Sequence, residues 1–374
     1  MSEKFLGSEI KKLGFGMMRL PMLEDNTIDV EQTKKMVDLY MEKGFTYFDT
    51  AYPYLDGHSE EAVKASLTSR YPRDSYQLAT KLPVWLVNAK EDVAKIFNTQ
   101  LERTGAGYFD FYLLHAIDRN KALKYDEYDT WEFIKEQKEK GLIKHYGFSF
   151  HDTADCLDDI LQKHPDAEFV QLQINYCDWD ESIIQAKKCY EVARKHNKPV
   201  IIMEPVKGGT LAALTPELDE IFKKARPDHS VASWALRFAA SLEGVITVLS
   251  GMSNMEQMED NLSFMAEFEK ITDEDQKVID DVTDKLKNMP LIPCTNCQYC
   301  MEVCPQQIPI PEIFKAMNKN ATFKNLEDAK NEYGFVTGGC SKASDCLQCG
   351  ACEAQCPQHI EIITELQNAV QMFE

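Results

Sequence analysis

Residues 143–175 read IKHYGFSFHDTADCLDDILQKHPDAEFVQLQIN, and this stretch contains the repeating unit of the fold. Apolar and aromatic residues recur through Ile143–Ser149 and Phe169–Asn175, which predicts two β-strands. Between them, Ala154–Gln162 has the amphipathic spacing of a helix. The stretch therefore predicts a strand, a helix and a second strand in succession.

The same alternation recurs from the start of the chain to about residue 285. The predicted strands are Leu13–Met17, Thr46–Asp49, Gln77–Lys81, Asp110–His115, Ile143–Ser149, Phe169–Asn175, Val200–Glu204 and Val245–Ser250. The predicted helices are Asp29–Lys43, Ser59–Ser69, Lys90–Leu101, Tyr128–Lys140, Ala154–Gln162, Glu181–Lys195, Ser230–Ser241, Met255–Glu269 and Asp273–Lys287. Eight strands, each followed by a helix, predict a (β/α)8 barrel of the TIM type. The alternative is an open doubly wound sheet, but no Gly-x-Gly-x-x-Gly follows an early strand.

The composition argues against several classes of protein. The 374 residues include 61 Asp and Glu against 41 Lys and Arg, a formal net charge of −20, whereas a nucleic-acid-binding protein presents a basic face. No apolar run reaches the roughly 18 residues that a membrane-spanning helix requires. The first residues lack the basic and then apolar pattern of a signal peptide. The sequence therefore predicts a cytoplasmic protein with no nucleic-acid or membrane partner.

The twelve cysteines divide the chain into two parts. Three lie singly before residue 200, and the other nine follow residue 293. Eight of these nine form two copies of the pattern Cys-x2-Cys-x2-Cys-x3-Cys-Pro, over residues 294–305 and 346–357. In this pattern the first three thiolates bind one 4Fe–4S cluster, and the fourth, before proline, binds the other cluster. The predicted ligands are Cys294, Cys297, Cys300 and Cys356 for one cluster and Cys346, Cys349, Cys352 and Cys304 for the other.

Two other uses of the cysteines fit less well. A disulfide framework needs an oxidising compartment, and zinc sites usually employ pairs of Cys-x2-Cys without the third and fourth cysteine and the proline. The predicted domains are therefore a barrel over residues 1–287 and a module with two 4Fe–4S clusters over residues 288–374, with Asn288–Pro293 as the linker. A predicted helix at Pro311–Asn320 makes this module resemble the helical dicluster ferredoxin modules of many reductases. Cys340 lies outside both motifs.

Candidate catalytic residues lie where the predicted strands end, because a (β/α)8 barrel carries its active site at the carboxyl ends of its strands. Asp49, Lys81 and His115 end the second, third and fourth strands, and Tyr54 follows shortly after Asp49. Each residue also has an ordinary structural explanation, such as a turn cap or a core histidine. Their occurrence at successive strand ends of one barrel mouth predicts an active site.

The segment around the second strand resembles the signature of the aldo-keto reductase family. Residues 48–54 read FDTAYPY, and residues 57–60 read GHSE. Lys81 ends the run ATK, and His115 ends the run YLLH, so both match the remaining positions of the family's catalytic tetrad. The resemblance covers residues 10–285. The whole chain resembles the aldo-keto reductases that carry a C-terminal iron–sulfur domain.

This resemblance implies the reduction of a carbonyl group by hydride transfer from a nicotinamide cofactor. Tyr54 would protonate the carbonyl oxygen, because an adjacent ammonium makes a phenol more acidic. Lys81 would be that ammonium, held and oriented by Asp49. His115 would bind and orient the substrate oxygen by a hydrogen bond. In the reverse direction Tyr54 would act as the base on an alcohol.

The cofactor contacts of the family carry over only in part. The resemblance implies contacts from Ser149, Gln173 (with Gln171 as the less favoured alternative), Glu204, Pro205, Lys207, Gly208, Ser250, Gly251, Met252, Ser253, Gln257 and Asn261. Phe150 stands where the family has an asparagine, and Glu204 replaces an aromatic residue that stacks on the nicotinamide. Gly251 and Gln257 stand where the family often has Lys and Arg against the ribose phosphate. NAD(P)H is therefore expected without a preference for NADPH, and FMN or another flavin stays an alternative.

Three functions stay open at the level of sequence. The first, which the complete tetrad favours, is the reversible NAD(P)H-dependent reduction of a small aldehyde or ketone, with the clusters in electron transfer. The second is a redox enzyme whose barrel holds a flavin, because a hydride carries two electrons and each cluster passes one. The third is an electron-transfer subunit that uses the barrel as a scaffold and serves a redox partner protein. Trp85 and Trp179 follow predicted strands and are candidates for lining a substrate pocket.

Overall fold

The computed structural model describes residues 6–323 and 325–374, which form two compact units. The first unit contains the residues up to Pro205 together with Ser233–Ile271. The second contains Val206–Ala232 and Thr272–Glu374. None of the helices in the described part of the chain has the length and apolarity that crossing a bilayer demands.

The first unit is built on a closed barrel of parallel strands. Each strand pairs with the next along the chain, and the last pairs with the first. The strands are β1 (Leu13–Gly16), β2 (Tyr47–Asp49), β3 (Gln77–Leu82), β4 (Phe109–Ile117), β5 (Ile143–Phe150), β6 (Phe169–Gln173), β7 (Val200–Met203) and β8 (Val245–Ser250). The predicted (β/α)8 barrel is confirmed.

Helices alternate with these strands along the chain. They are α1 (Val30–Glu42), α2 (His58–Val63), α3 (Lys90–Thr104), α4 (Arg119–Glu127), α5 (Thr130–Glu139), α6 (Ala154–Lys163), α7 (Ala186–Lys195), α8 (Pro216–Ala225), α9 (Val231–Ser241) and α10 (Met255–Met265). The sequence patterns did not predict α4 or α8. The α2 helix continues as a π-helical turn at Lys64–Thr68, within the range predicted as one helix.

Two helices begin later than the sequence pattern predicts. The structure starts the helix predicted at Tyr128–Lys140 only after Asp129, whose backbone φ is 50°. Likewise, the helix predicted at Glu181–Lys195 starts only after Gln185, whose φ is 53°. A positive φ interrupts a right-handed helix. Neither residue is a glycine, so no glycine marks these breaks in the sequence.

The barrel interior has an apolar layer and a polar layer. Alternate residues of a strand share one face, and many of the inward positions form an apolar cluster with a neighbouring isoleucine. This cluster contains Ile10, Tyr47, Ala79, Phe111, Leu113, Phe169, Ile201, Ile246 and Leu249. Three polar residues lie two positions further along the same strands and on the same faces. Asp49 follows Tyr47, Lys81 follows Ala79, and His115 follows Leu113 in this way. The alternation of each strand therefore brings these polar side chains together at the carboxyl ends.

The second unit is mainly helical. Besides α8, it contains α11 (Asp273–Lys287), α12 (Tyr299–Glu302), α13 (Ile310–Phe323), α14 (Leu326–Thr337), α15 (Ala351–Gln355) and α16 (Ile362–Phe373). Arg226, just after α8, binds Asp275 in α11 through two hydrogen bonds of 2.7 and 2.8 Å. The helix predicted at Pro311–Asn320 is the central part of α13. In the predicted linker, the backbone of Ile292 makes two hydrogen bonds with the amide of Asn318 in α13.

The two cysteine motifs adopt matching backbone conformations. Positive φ angles occur at three equivalent positions of each motif: Asn296 and Gln348, Gln298 and Gly350, and Gln307 and His359. In each motif, a short helix, α12 or α15, precedes the fourth cysteine, and a longer helix, α13 or α16, follows it. The module is therefore an internal repeat, with α14 inserted between its two halves. Its apolar core surrounds the cysteines and includes Ile308, Ile313, Phe314, Ile362 and Leu366.

Candidate functional site

The centre of the candidate active site is a buried ion pair between β2 and β3. The Lys81 ammonium donates to Asp49 Oδ1 at 2.5 Å and to the Thr50 carbonyl oxygen at 2.8 Å. Gln171 Nε2 donates to the other carboxylate oxygen of Asp49 at 3.3 Å. Asp49 and Lys81 are only 3% and 1% exposed. Buried charges are stable only when paired and hydrogen-bonded, and both conditions hold here.

Tyr54, in the loop after β2, contacts this ion pair. Its phenolic oxygen accepts a hydrogen bond from Lys81 Nζ at 3.2 Å. The Tyr54 carbonyl oxygen accepts hydrogen bonds from the N–H groups of Gly57 and Ser59, both at 3.1 Å, which fix the loop. Gly57 has a φ of 88°, and a Cβ there would lie 2.9 Å from the guanidinium of Arg103. The turn therefore requires glycine at this position.

His115 faces Tyr54 near the end of β4. The two ring centres are 5.7 Å apart at an angle of 78°, and the Trp85 ring lies 5.1 Å from the His115 ring. The next residue, Ala116, has a φ of 53°, and the register between β4 and β5 shifts at this point. The Ala116 N–H donates to Ser149 Oγ at 2.7 Å. Ser149 thus stabilises the irregular backbone that follows His115.

Burial controls the ionisation of these groups. It raises the pKa of Asp49 and lowers the pKa of Lys81, and in each case the opposite charge of the partner counteracts the shift. Burial also lowers the pKa of His115 well below its usual value, with further lowering by Lys81, His151 and Lys121. His115 is therefore neutral at neutral pH, with one nitrogen as a donor and the other as an acceptor.

The arrangement suits an oxygen atom that gains negative charge. A phenol that can give up a proton lies within hydrogen-bond distance of an ammonium, and a neutral imidazole faces the same phenol. Proton donors placed in a site that excludes water stabilise such charge strongly. The structure thus brings together all four predicted catalytic residues, and Trp85 lies with them. Trp179 instead packs against Tyr190 and Phe238, at ring distances of 5.7 Å.

The loop between β8 and α10 contains many of the predicted cofactor contacts, and the structure pairs several of them. Asn261 Nδ2 donates to Ser250 Oγ at 2.9 Å. The Ser253 N–H donates to Gln257 Oε1 at 2.7 Å. Asn254 caps α10 by accepting from the Gln257 N–H at 2.9 Å, and Met252 is buried. These bonds fix a loop whose remaining N–H groups and helix N-terminus favour a phosphate.

One cation beside this loop was missed by the sequence analysis. A Cβ added at Gly251 would lie 3.1 Å from Cδ of Arg19, so the Arg19 side chain lies against Gly251. Arg19 is in the loop after β1. In a closed barrel the first and last strands are neighbours, so the loops after β1 and β8 lie side by side. This adjacency could have identified Arg19 from the predicted fold.

The predicted contacts on β6 and β7 have partners within the same unit. Gln173 Nε2 donates to Asp178 at 3.0 Å. Asn175 Nδ2 donates to Asp178 at 2.8 Å and to the Glu204 carbonyl oxygen at 3.2 Å. Glu204 has a φ of 57°, and the following Pro205 is buried. Asn175 and Asp178, which the sequence analysis did not single out, therefore shape the ends of both strands.

The predicted contacts Lys207 and Gly208 belong to the second unit. Their φ angles are 48° and 65°, and Lys207 is buried. A Cβ at Gly208 would lie 2.4 Å from the carbonyl oxygen of Thr295. Glycine is therefore required where this loop packs against the first cysteine motif, just after Cys294.

The cysteines of the second unit come together as two sets. Cys304, Cys346, Cys349 and Cys352 line one cavity, whose wall is otherwise largely apolar. Burial raises the pKa of the Cys300 thiol, with further increases from the neighbouring Cys297, Cys294, Cys356 and Cys352. The first group is the set predicted for one cluster. The neighbours of Cys300 include the three other cysteines predicted for the second cluster, together with Cys352 of the first. Among the described residues, no group of three or more His, Cys, Asp or Glu side chains is arranged to hold a single metal ion.

Backbone N–H groups also point at one sulfur atom of each motif. The Asn296 N–H lies 3.5 Å from Cys294 Sγ, and the Gln348 N–H lies 3.4 Å from Cys346 Sγ. Both donors occupy the same position of the repeat and have positive φ angles. Such contacts stabilise thiolates and influence the reduction potential of a bound cluster. The donor set and its surroundings therefore fit iron–sulfur clusters.

Two family models match successive parts of the chain. The model of the aldo/keto reductase family matches residues 12–284, and a model of the 4Fe–4S dicluster domain matches residues 293–361. A probable aldo-keto reductase of Glycine max is 26% identical over 185 residues, 47% of this chain and 51% of that relative. The match thus spans about half of the relative. An uncharacterized oxidoreductase of Bacillus subtilis, YqkF, is 24% identical over 318 residues, 76% of this chain and 97% of the relative.

Solved structures show the same fold. An aldo-keto reductase from Klebsiella pneumoniae in complex with NADPH has a TM-score of 0.60 and 19% sequence identity, over 73% of this chain and 91% of the other. At this identity the likeness concerns the fold. Together with the family models, these findings show that the chain is an enzyme of the aldo/keto reductase family, an oxidoreductase whose barrel is followed by a 4Fe–4S dicluster domain.

Proposed function

We propose that the barrel reduces a small aldehyde or ketone reversibly with a nicotinamide dinucleotide, and that Tyr54 supplies the proton. The observation that carries this proposal is the position of Lys81 Nζ, 2.5 Å from Asp49 Oδ1 and 3.2 Å from Tyr54 Oη. The ion pair fixes the ammonium beside the phenol. An ammonium in this position stabilises the phenolate that remains after the proton has left.

Each residue of the site has a distinct role in this reaction. The nicotinamide, when bound, supplies a hydride to the carbonyl carbon. Tyr54 gives its proton to the carbonyl oxygen, which becomes the hydroxyl group of the product. His115, neutral because it is buried, donates an N–H to the same oxygen and orients it. Trp85, whose ring lies beside His115, would contact the substrate.

The loop between β8 and α10 fits the phosphates of a dinucleotide. Hydrogen bonds between Ser250 and Asn261 and between Ser253 and Gln257 fix its shape. The aliphatic part of the Arg19 side chain packs against Gly251, and its guanidinium would add a positive charge near this loop, which the sequence alone did not show. The aldo-keto reductase of Klebsiella pneumoniae binds NADPH, which supports the same class of cofactor here.

The remaining cofactor contacts are part of the same proposal. On strand ends, Ser149, Gln173, Glu204 and Pro205 would contact the nicotinamide or the pyrophosphate. Around α10, Gly251 and Met252 would do so through the backbone. Binding of NADH and of NADPH to the wild type and to Arg19→Gln, followed by protein fluorescence, would measure the contribution of the added cation.

We also propose that the eight cysteines of the second unit bind two 4Fe–4S clusters. The cavity lined by Cys304, Cys346, Cys349 and Cys352 supports one ligand set. Its four thiols come from both motifs, as cross-ligation requires. Each cluster would pass one electron at a time to or from a redox partner protein.

The test of the barrel's function is Tyr54→Phe, with Tyr52→Phe as the matched control. Tyr52 is two residues away and stacks against the Arg103 guanidinium at 4.4 Å through its ring, which phenylalanine retains. Reduction of 4-nitrobenzaldehyde and glyceraldehyde is followed under anaerobic conditions by the absorbance of NADH or NADPH. Tyr54→Phe is expected to lower kcat by about 10²- to 10⁴-fold, with an unchanged Kd for the cofactor. Full activity of Tyr54→Phe, or equal losses in both variants, would contradict the assignment.

A further inference from the structure

Tyr125 is buried in a helix that is otherwise mostly polar. The α4 sequence reads RNKALKYDE, and Tyr125 is the residue of this helix that is fully buried. Its hydroxyl group lies 2.6 Å from the Leu82 carbonyl oxygen and 2.9 Å from the His115 carbonyl oxygen. It also accepts a hydrogen bond from the Val84 N–H at 3.2 Å. One phenol therefore joins three backbone groups from the ends of β3 and β4.

These backbone groups lie where the two strands stop pairing. The last residues in register between β3 and β4 are Leu82 and Leu114. Pro83 has no N–H with which to continue the ladder, and Ala116 has a φ of 53°. Buried carbonyl groups need a donor. The Tyr125 hydroxyl supplies it at the point where strand pairing can no longer do so.

The three bonded groups are adjacent in sequence to residues of the candidate active site. Leu82 follows Lys81, Val84 precedes Trp85, and the third carbonyl belongs to His115 itself. We propose that Tyr125 is a positioning residue: its hydroxyl fixes the ends of β3 and β4 so that Lys81, Trp85 and His115 keep their arrangement around Tyr54. This inference rests on the proposed carbonyl reduction, but its structural part can be tested without it.

The chain contains a matched control at the opposite end of the barrel. Tyr40, in α1, is also fully buried, and its hydroxyl lies 2.7 Å from the Leu13 carbonyl oxygen and 2.9 Å from the Tyr47 carbonyl oxygen. Leu13 and Tyr47 are the first residues of β1 and β2, so this bridge joins amino ends, away from the site. Each hydroxyl has one proton, which its two carbonyl oxygens share, so Phe at either position removes the same donor.

The experiment compares Tyr125→Phe with Tyr40→Phe in the full-length, anaerobically purified protein. Amide hydrogen exchange is measured on peptides that cover residues 82–86 and 113–117. We expect exchange in these peptides to be faster in Tyr125→Phe and unchanged in Tyr40→Phe. We also expect Tyr125→Phe to lower kcat by about 10- to 100-fold, because small displacements of catalytic groups have effects of that size. The Kd for the cofactor should stay within about twofold of the wild-type value in both variants.

The outcomes separate positioning from ordinary stabilisation. If both variants lose thermal stability to a similar extent and only Tyr125→Phe loses kcat and local protection, the inference is supported. Equal kcat values in the two variants, or unchanged exchange at 82–86 and 113–117 in Tyr125→Phe, would overturn it. If the wild type reduces no carbonyl compound, the proposed function fails and the exchange pattern alone decides the inference. Should Tyr125→Phe not fold, fast exchange of the Val84 amide in the wild type would overturn the inference, and slow exchange would support it.

Discussion

Replacing Lys81 with methionine removes the ammonium that lies 2.5 Å from Asp49 Oδ1 and 3.2 Å from Tyr54 Oη. Asp49 is only 3% exposed. Without Lys81, its carboxylate still accepts a hydrogen bond from the Gln171 amide at 3.3 Å. Removal of one partner of a buried ion pair costs about 3–5 kcal/mol of stability. Lys81→Met should therefore lower the free energy of unfolding by about that amount, and it should abolish carbonyl reduction.

A second variant separates the loss of stability from the loss of activity. The double variant Asp49→Asn/Lys81→Met has no buried charge at this position, and replacement of a buried pair by neutral groups is often close to neutral in stability. We expect it to recover most of the stability that Lys81→Met loses. It should nevertheless stay inactive, because Tyr54 still has no ammonium beside it.

The difference in stability between Lys81→Met and the double variant should also depend on pH, in a direction that the pKa of Asp49 determines. Burial raises the pKa of Asp49, and without Lys81 nothing of opposite charge on β3 counteracts this shift. On acidification the folded Lys81→Met protein takes up a proton at Asp49, whereas the unfolded chain remains ionised until its ordinary pKa near 4. The stability deficit of Lys81→Met relative to the double variant should therefore shrink as the pH falls from about 8 to about 5.

Urea unfolding followed by circular dichroism, at several pH values and with cofactor-binding measurements, is the appropriate assay. If Lys81→Met and the double variant are equally stable at every pH, the carboxylate and ammonium are not the buried pair described here. If the double variant reduces carbonyl compounds at the wild-type rate, Lys81 does not act on Tyr54.

Three further predictions concern other parts of the chain. Cys349→Ala should lose about half of the bound iron and sulfide on elemental analysis; unchanged iron would contradict the ligand assignment. Because burial lowers the pKa of His115 well below 6.5, kcat/KM should show no ionisation near pH 6.5; a break there that disappears in His115→Gln would contradict its neutrality. Gly208→Ala should lower the unfolding temperature of the second unit, since its Cβ would lie 2.4 Å from a backbone oxygen of the first cysteine motif at a φ of 65°. Gly339→Ala, where nothing lies within 4 Å of the added atom, is the control and should have little effect.

The barrel and its four catalytic candidates were predictable because local patterns specify them. Alternation along each strand places Asp49 two residues beyond Tyr47 and Lys81 two residues beyond Ala79 on the same inward faces. The cysteine pattern is also local, because each motif spans only about a dozen residues. Its spacing therefore predicts which thiols of the two motifs bind the same cluster.

Residues that act through tertiary contacts were not predictable in this way. Tyr125 lies in a polar stretch that gave no helical signal, and its importance comes from carbonyl groups of two other elements. Arg19 was missed because its relation to Gly251 arises only when β1 closes the barrel against β8. The late starts of α5 and α7 depend on the positive φ angles of Asp129 and Gln185. Neither residue is a glycine, the residue type that usually marks such an angle in a sequence.

The central claim, direct hydride transfer at a mouth built from Asp49, Tyr54, Lys81 and His115, is tested most directly with labelled cofactor. The protein is incubated anaerobically in ordinary water with a carbonyl substrate and NADH or NADPH that carries deuterium at both C4 positions, and the alcohol is examined by mass spectrometry. Direct transfer predicts one deuterium atom on the carbinol carbon of every product molecule. Product without deuterium would contradict the claim, because a flavin between the nicotinamide and the substrate would exchange the label with water.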